Sequence, residues 1–294
     1  VKRLSPVLDT EKIRVVCGED HFHEIARHIK AIGIPPGGKV LCEPCGRNTA
    51  PAILLAVLNI LKNESDAILF VFPADHVIKD IPDFQEKLKS AAGLADKGHI
   101  VTFGIKPHYP ETGYGYIEGD NDVSDGALAI KRFVEKPDRE TAESYLKSGN
   151  FFWNSGMFAF RASVMVEEFR AFHPELLRGM EALISGSDPG SDVISKAGYE
   201  MLENISIDYA IMEKTKKGVI LPSDFGWSDI GSWKSLYDFL PKNEDNNVID
   251  GDVISKETKN CFIMGRERLI ATNRLDHMVV VETPDSIFVS DMDN

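Results

Sequence analysis

Short apolar runs alternate with longer amphipathic segments over the first hundred residues. Four apolar runs have the length of strands: 13–16, 39–42, 67–72 and 100–103. Three segments between them have the periodicity and length of helices: 20–31, 49–61 and 83–95. Because strands and helices alternate along the chain, the pattern predicts an α/β fold with a doubly wound, mostly parallel sheet.

The alternation loosens after residue 104, where strand-like segments are separated by loops and helices: 113–117, 130–134 and 158–160. From about Val248 the chain changes again to short β runs with turns between them: 248–254, 261–264, 269–271, 278–281 and 287–289. We therefore divide the chain into a first domain over residues 1–245 and a small β domain over 246–294. A short β-helix and a β-roll both fit the second part.

Composition narrows the function classes. The 294 residues carry a net charge of −13 without a long basic run, which argues against a nucleic-acid partner. No apolar stretch approaches the roughly 20 residues of a membrane span. Four cysteines without a disulfide framework predict a cytoplasmic protein. The Cys42–Cys45 C-x-x-C lacks partners for a zinc set, so we interpret it as two reduced thiols beside a binding loop.

The strand over 67–72 ends in an acid, Asp75, within Pro73-Ala74-Asp75-His76. Open α/β sheets bind ligands beyond the carboxyl ends of their strands. A second acid, Asp229, lies in a turn far along the chain. Two remote carboxylates suit a Mg²⁺ ion that is also held by substrate phosphates. Taken alone, Asp75 is equally compatible with a turn or helix cap.

Other motifs suit a sugar. Gly113 and Gly115 stand among aromatic residues, and glycine permits close approach of the backbone to a ring, although a tight hairpin explains them as well. Glu135 and Lys136 follow a strand, and Asn154 lies in a polar insert between apolar residues. Asp208 precedes a helix that contains Glu213 and Lys214; for Ser206 and Lys214, a helix cap and a helix-surface charge are the favoured interpretation.

Seven different short motifs follow one another along the chain, at 43–51, 72–76, 111–116, 133–137, 153–157, 207–210 and 227–233. Their succession resembles the bacterial mannose-1-phosphate guanylyltransferases, from about Ile13 to the end of the chain. The resemblance implies a nucleotide-diphospho-sugar transferase fold, Rossmann-like with a small C-terminal β appendage. It also implies the reaction of GTP with α-mannose 1-phosphate to give GDP-mannose and pyrophosphate.

The resemblance further implies roles for individual residues. The metal-binding residues would be Asp75 and Asp229, which with Lys136 on the sugar phosphate form the catalytic set. The nucleotide-binding residues would be Glu43, Arg47, Asn48, Thr49 and Ala50. The sugar-binding residues would be Gly113, Glu135, Asn154 and Asp208.

Two further expectations follow from the resemblance. The family's first strand and glycine-rich loop should precede Val1, and we expect them in the protein outside this numbering. No isomerase activity is expected. Independently of the resemblance, we hypothesise a homodimer formed through the small β domain. Two alternatives stay open: another sugar-1-phosphate nucleotidyltransferase, for example one using glucose 1-phosphate, and a non-catalytic regulatory paralogue that binds GDP-mannose.

Overall fold

A six-stranded mixed sheet forms the centre of the first of two structural units. The computed structural model describes residues 1–64, 66–186 and 194–293. The first unit comprises Val1–Pro73 and Asp80–Phe225, and the second comprises Ala74–Lys79 and Gly226–Asn294. The predicted domain boundary near residue 245 stays a prediction, since the second unit begins at Gly226 and also takes in the segment around Asp75.

The first unit combines strands and helices. Its strands are β1 (Val15–Gly18), β2 (Val40–Glu43), β3 (Ile68–Val71), β4 (Ile100–Ile105), β5 (Tyr116–Ser124), β6 (Ala127–Val134), β7 (Phe151–Arg161) and β8 (Gly218–Ser223). Its helices are α1 (Phe22–Ala31), α2 (Thr49–Asn63), α3 (Ile81–Asp96), α4 (Arg139–Ser148), α5 (Ala162–Phe172), α6 (Pro174–Ser185) and α7 (Lys196–Glu200). The predicted α/β class is confirmed.

The strand directions differ from the expected mostly parallel sheet. The six strands follow the order β3-β7-β4-β8-β6-β5, and only β4 and β8 pair in parallel. The long strand β7 lies antiparallel between β3 and β4. The chain after β4 continues through a β5–β6 hairpin rather than a helical crossover, and direct connections of this kind produce antiparallel pairs. Separately, β1 and β2 form a parallel pair.

Helix α2 begins where the sequence predicts. Asn48 is its N-cap, and the Asn48 side chain accepts a hydrogen bond from the Thr49 N–H at 2.9 Å. The helix is apolar nearly all round because it packs against α5 and α6 in the main core, where Leu54 and Phe169 are fully buried. This packing fixes the start of α2, and with it the turn that precedes it.

The second unit is a short β-helix preceded by a helix. Its elements are α8 (Trp233–Phe239), β9 (Val248–Asp250), β10 (Val253–Lys256), β11 (Phe262–Met264), β12 (Ile270–Asn273), β13 (Met278–Glu282) and β14 (Ile287–Asp291). Successive coils stack in parallel, β9 on β11 on β13 and β10 on β12. This stacking decides between the two architectures that the sequence left open. Val248, Phe262 and Val279 share its core.

A buried carboxylate holds one turn of the β-helix. Glu282 is 2 % exposed, and its Oε2 accepts backbone N–H bonds from Arg266 at 2.7 Å, Glu267 at 3.1 Å and Arg268 at 3.2 Å. The Arg268 guanidinium also donates to Oε1. The Arg266 N–H bond, followed by those from Arg268 and Glu267 and the Arg268 charge, lowers the pKa of Glu282. The ionised form of this side chain is therefore part of the fold.

No helix in the described ranges combines the length and apolar character that crossing a bilayer requires. None of the four cysteines, all of which lie within the described ranges, forms a disulfide.

Candidate active site

Strand β7 presents Asn154 to an acid from a distant part of the first unit. The Asn154 Nδ2 donates to Asp208 Oδ1 at 2.9 Å, and its own Oδ1 accepts the Gly156 N–H at 3.2 Å. Asp208 begins a π-helical turn, Asp208–Met212, a form that is frequent at functional sites. The structure thus brings together two of the residues that were expected to bind the sugar.

A glycine lets a third expected residue join them. A Cβ added to Gly115 would lie 2.8 Å from Glu135 Oε2 and 3.5 Å from the Asn154 Cβ, so only a bare backbone leaves the Glu135 carboxylate where it is. Gly113, the glycine named from the family resemblance, instead donates its N–H to Glu111 Oε1 at 2.8 Å. The Gly113 role stays a prediction. Gly115 was grouped with Gly113 in a motif suited to a sugar, but it was not among the residues expected to bind the ring. Its only signal was the paired glycines of the motif.

Three carboxylates influence one another here. Burial raises the pKa of Asp208; the Asn154 amide opposes that rise, and the nearby Glu135 charge adds to it. Burial also raises the pKa of Glu213, as do the Asp208 and Glu135 carboxylates, while Lys214 counteracts them. Ionised carboxylates only accept hydrogen bonds, so the region favours a neutral ligand rich in hydroxyl donors.

Lys136 follows Glu135 with an unusual backbone. Its φ is +43°, a left-handed conformation that is uncommon for residues other than glycine, and its side chain is exposed. Such strain persists where the surroundings impose it, and it concentrates at functional sites. The observation supports a role for the Glu135-Lys136 turn without naming the ligand.

The turn expected to bind the nucleotide is tied to the segment that leads into Asp208. Glu43 accepts the Tyr199 hydroxyl at 2.7 Å, and burial raises the pKa of Glu43 against the effect of that bond. Arg47 donates to the Glu200 carbonyl. Thr49 Oγ1 accepts the Ile207 N–H at 2.8 Å.

Ala50 makes a further hydrogen bond between this turn and the segment before Asp208. Its N–H donates to the Ile205 carbonyl at 3.1 Å, and the residue is fully buried. Thr49 and Ala50 therefore connect the turn to residues 205–207, immediately before Asp208. Beside this turn lies a cavity of about 500 Å³ whose lining includes Phe22, Cys42 and Pro44.

The two expected metal ligands belong to the second unit. The short strands Val77–Ile78 and Trp227–Ser228 pair antiparallel, with Ser228 opposite Val77. Asp229 directly follows Ser228 in the chain, and Asp75 lies two residues before Val77. The Trp227 Nε1–H donates to His76 Nδ1 at 3.1 Å, which fixes the ring.

The turn at Asp229 is strained like that at Lys136. Asp229 Oδ1 accepts the Gly231 N–H at 3.1 Å, and Ile230 between them has a φ of +49°. A left-handed conformation is a genuine outlier for a β-branched residue. The side chain of Asp75 is 84 % exposed and therefore open to a ligand.

The donor chemistry fits a hard cation. Carboxylate oxygens are what Mg²⁺ prefers, and it commonly takes one or two of them and completes its shell with water and substrate phosphate. Within the described ranges, three side chains of metal-binding type come close enough to share an ion only at His277, Asp291 and Asp293, none of which was expected to bind metal. A pair of acids is nevertheless sufficient for a site completed by phosphates.

Two family models together match nearly the whole chain. A family model described as "Nucleotidyl transferase" matches residues 2–246, and one described as "MannoseP isomerase/GMP-like beta-helix domain" matches 251–294. A mannose-1-phosphate guanylyltransferase of Klebsiella pneumoniae is 42 % identical, covering 98 % of this chain and 62 % of its own. The xanthan biosynthesis protein XanB of Xanthomonas campestris pv. campestris is 46 % identical, and the match covers 99 % of this chain and 62 % of XanB.

The chain thus spans about 62 % of the length of these curated relatives. Among solved structures, one from Thermus thermophilus described as a mannose-1-phosphate geranyltransferase is 32 % identical with a TM-score of 0.87, covering 99 % of this chain and 83 % of that one. The resemblance inferred from the seven motifs is confirmed. The chain belongs to the nucleotidyl transferase family.

Proposed function

We propose that the protein transfers GMP from GTP to α-mannose 1-phosphate, giving GDP-mannose and pyrophosphate. The observation that carries this proposal is the Glu135–Asn154–Asp208 group beside Gly115, since it offers hydrogen-bond acceptors and an amide to a neutral polyhydroxyl ring. The curated relatives named as mannose-1-phosphate guanylyltransferases support the same substrate.

The chemistry would be an in-line displacement at the α-phosphorus of GTP. The oxygen of the sugar phosphate attacks, the bond from the α-phosphorus to the bridging oxygen breaks, and pyrophosphate leaves. The attacking oxygen is anionic at neutral pH, so no side chain has to remove a proton. Positioning and charge stabilisation then supply the rate enhancement.

The side chains divide this work. Glu135, Asn154 and Asp208 orient the sugar ring, and Lys136 reduces the repulsion between the sugar phosphate and the triphosphate. Residues of the turn Glu43–Ala50 bind the base and ribose. This division explains how a chain with a net charge of −13 handles several phosphates, because its cations are needed only where phosphates bind.

Asp75 and Asp229 would hold Mg²⁺. The ion would neutralise the charge that gathers on the phosphate oxygens. Action in the cytoplasm is part of the proposal, supported by four cysteines that form no disulfide. The homodimer stays a prediction.

A pyrophosphate-release assay of the full-length protein tests the function. GTP, ATP, UTP and dTTP are each combined with mannose 1-phosphate or glucose 1-phosphate in the presence of Mg²⁺. We expect the highest kcat/KM for GTP with mannose 1-phosphate.

Two other results would replace the proposal. A higher kcat/KM with another pair would identify a different sugar-1-phosphate nucleotidyltransferase. Tight binding of GDP-mannose without pyrophosphate release from any pair would identify a regulatory paralogue.

A further inference from the structure

Glu213 belongs to the carboxylate group around Asp208 although it lies five residues further along the chain. The Glu213 N–H donates to the Asp208 carbonyl at 2.9 Å, the bond that defines a π-helical turn. In an α-helix, five residues would rotate the two side chains about 140° apart. The wider π turn brings residue 213 back over residue 208 instead.

Three residues between the two acids anchor this turn in the core. Ala210, Ile211 and Met212 are buried there, whereas Tyr209 and Glu213 are exposed. The turn therefore has an apolar side that holds it in place, and Glu213 stays accessible.

The cation next to Glu213, Lys214, contacts a histidine. The Lys214 Nζ lies 2.9 Å from His173 Nε2, and the opposite ring nitrogen of His173 lies 2.9 Å from Glu203. The lysine can donate to a neutral imidazole whose other N–H donates to Glu203. Lys214 thus has a hydrogen-bond partner in His173, while its charge also acts on Glu213 and opposes the effect of burial on the pKa of that acid.

The group is rich in hydrogen-bond acceptors. Glu135, Asp208 and Glu213 offer six carboxylate oxygens, counted as two for each acid, and the Asn154 amide donates to one of them. Like charges this close are stabilised by a ligand that donates hydrogen bonds. A ring with several hydroxyl groups has this property, and a phosphate does not.

Resting on the function proposed above, we infer that Glu213 is a third sugar-binding carboxylate, which accepts a hydrogen bond from a ring hydroxyl of the sugar phosphate. Its removal should weaken recognition of the ring while leaving the nucleotide unaffected. The residue would then help to determine which sugar phosphate is used.

Kinetics with Glu213→Gln test this inference, with Glu203→Gln as a matched control that changes a neighbouring acid outside the group. We expect kcat/KM for mannose 1-phosphate to fall at least about tenfold in Glu213→Gln, because a hydrogen bond to a charged acceptor is lost. The KM for GTP should stay within about twofold, the expected result for a group that makes no contact with the nucleotide. Glu203→Gln should resemble the unmodified protein.

Substrates lacking one hydroxyl locate the contact. The 2-, 3-, 4- and 6-deoxy forms of mannose 1-phosphate are compared for both proteins. One deoxy form should show little difference between the unmodified protein and Glu213→Gln, because the bonded hydroxyl is already absent. An equal loss with every deoxy form would overturn the inference.

Failure of the proposed function can be distinguished from failure of the inference about Glu213. If the unmodified protein prefers another sugar 1-phosphate, the same comparison is made with the deoxy forms of that sugar. If Glu213→Gln does not fold by circular dichroism, Glu213→Asp replaces it, and unchanged kinetics in that shortened variant overturn the inference.

Discussion

Asn154 on β7 donates to Asp208 at 2.9 Å and so joins the central sheet to the π-helical turn. Asn154→Ala removes this bond to a charged acceptor, an effect of about 1.5–3 kcal/mol in typical cases. We expect a loss in kcat/KM for mannose 1-phosphate of at least about tenfold, with GTP binding retained. Steady-state kinetics with each substrate varied in turn provide the measurement. Equal losses for both substrates would contradict a sugar-specific role.

The close approach at Gly115 predicts a second effect. Gly115→Ala would place a methyl group 2.8 Å from the present position of Glu135 Oε2, so the carboxylate must move. We expect a higher KM for mannose 1-phosphate at nearly unchanged thermal stability, because the end of a flexible side chain moves at little cost. Gly93→Ala is the control, since its added Cβ meets no atom within 4 Å. An unchanged KM for mannose 1-phosphate would show that Glu135 does not bind the sugar ring.

The two expected metal ligands, which both belong to the second unit, predict metal dependence. Asp75→Asn and Asp229→Asn should each lower turnover at least about a hundredfold at saturating Mg²⁺, as loss of one electrostatic stabiliser commonly does. Circular dichroism should show an intact fold. Asp238→Asn, which changes an exposed acid paired with Lys234, should retain turnover. Near-normal turnover in either of the first two variants would remove that residue from the metal site.

Lys136 should act on the sugar phosphate. Lys136→Ala is expected to damage use of mannose 1-phosphate far more than binding of GTP, with a loss of roughly 1.5–3 kcal/mol. Lys147→Ala, in the exposed face of α4, is the comparison. Impaired GTP binding with normal mannose 1-phosphate kinetics would place the lysine at the other substrate.

Glu282 predicts a pH effect on the β-helix. Its pKa is lower in the folded chain than the ordinary value of 4.5, so the stabilisation is present above pH 4.5 and is lost as pH falls through the folded pKa. Glu282→Gln should therefore expose the Arg266, Glu267 and Arg268 amides to hydrogen exchange at pH 7. The difference from the unmodified protein should shrink below pH 4.5. A difference independent of pH would exclude the ionised carboxylate as its cause.

A control for this pH effect is available on the same unit. Glu257→Gln changes an acid that pairs with Arg274 at the surface. Exposed ion pairs contribute little, so this variant should leave the exchange of the three amides unchanged.

The sequence predicted the features that local patterns encode. Helix α2 follows from an apolar run behind a polar turn. The direction of β7 did not follow, because pairing between strands remote in the chain has no local signal. Glu213 was placed in a helix without a role, since α-helical spacing separates it from Asp208 and only the π turn reunites them. Gly115 was passed over because two glycines of one motif cannot be told apart without their neighbours.

Lys136 and Ile230 each occupy a left-handed conformation directly after an acid that we assign to a substrate or metal. Conformations of this kind cost of order 1–3 kcal/mol, part of which glycine would recover. A laboratory selection for heat resistance alone should therefore favour glycine at positions 136 and 230. If the backbone conformation at these positions serves catalysis, the selected variants would have higher thermal stability and lower turnover. Natural selection for activity would then have retained two residues that a single substitution each could replace with a more stable alternative.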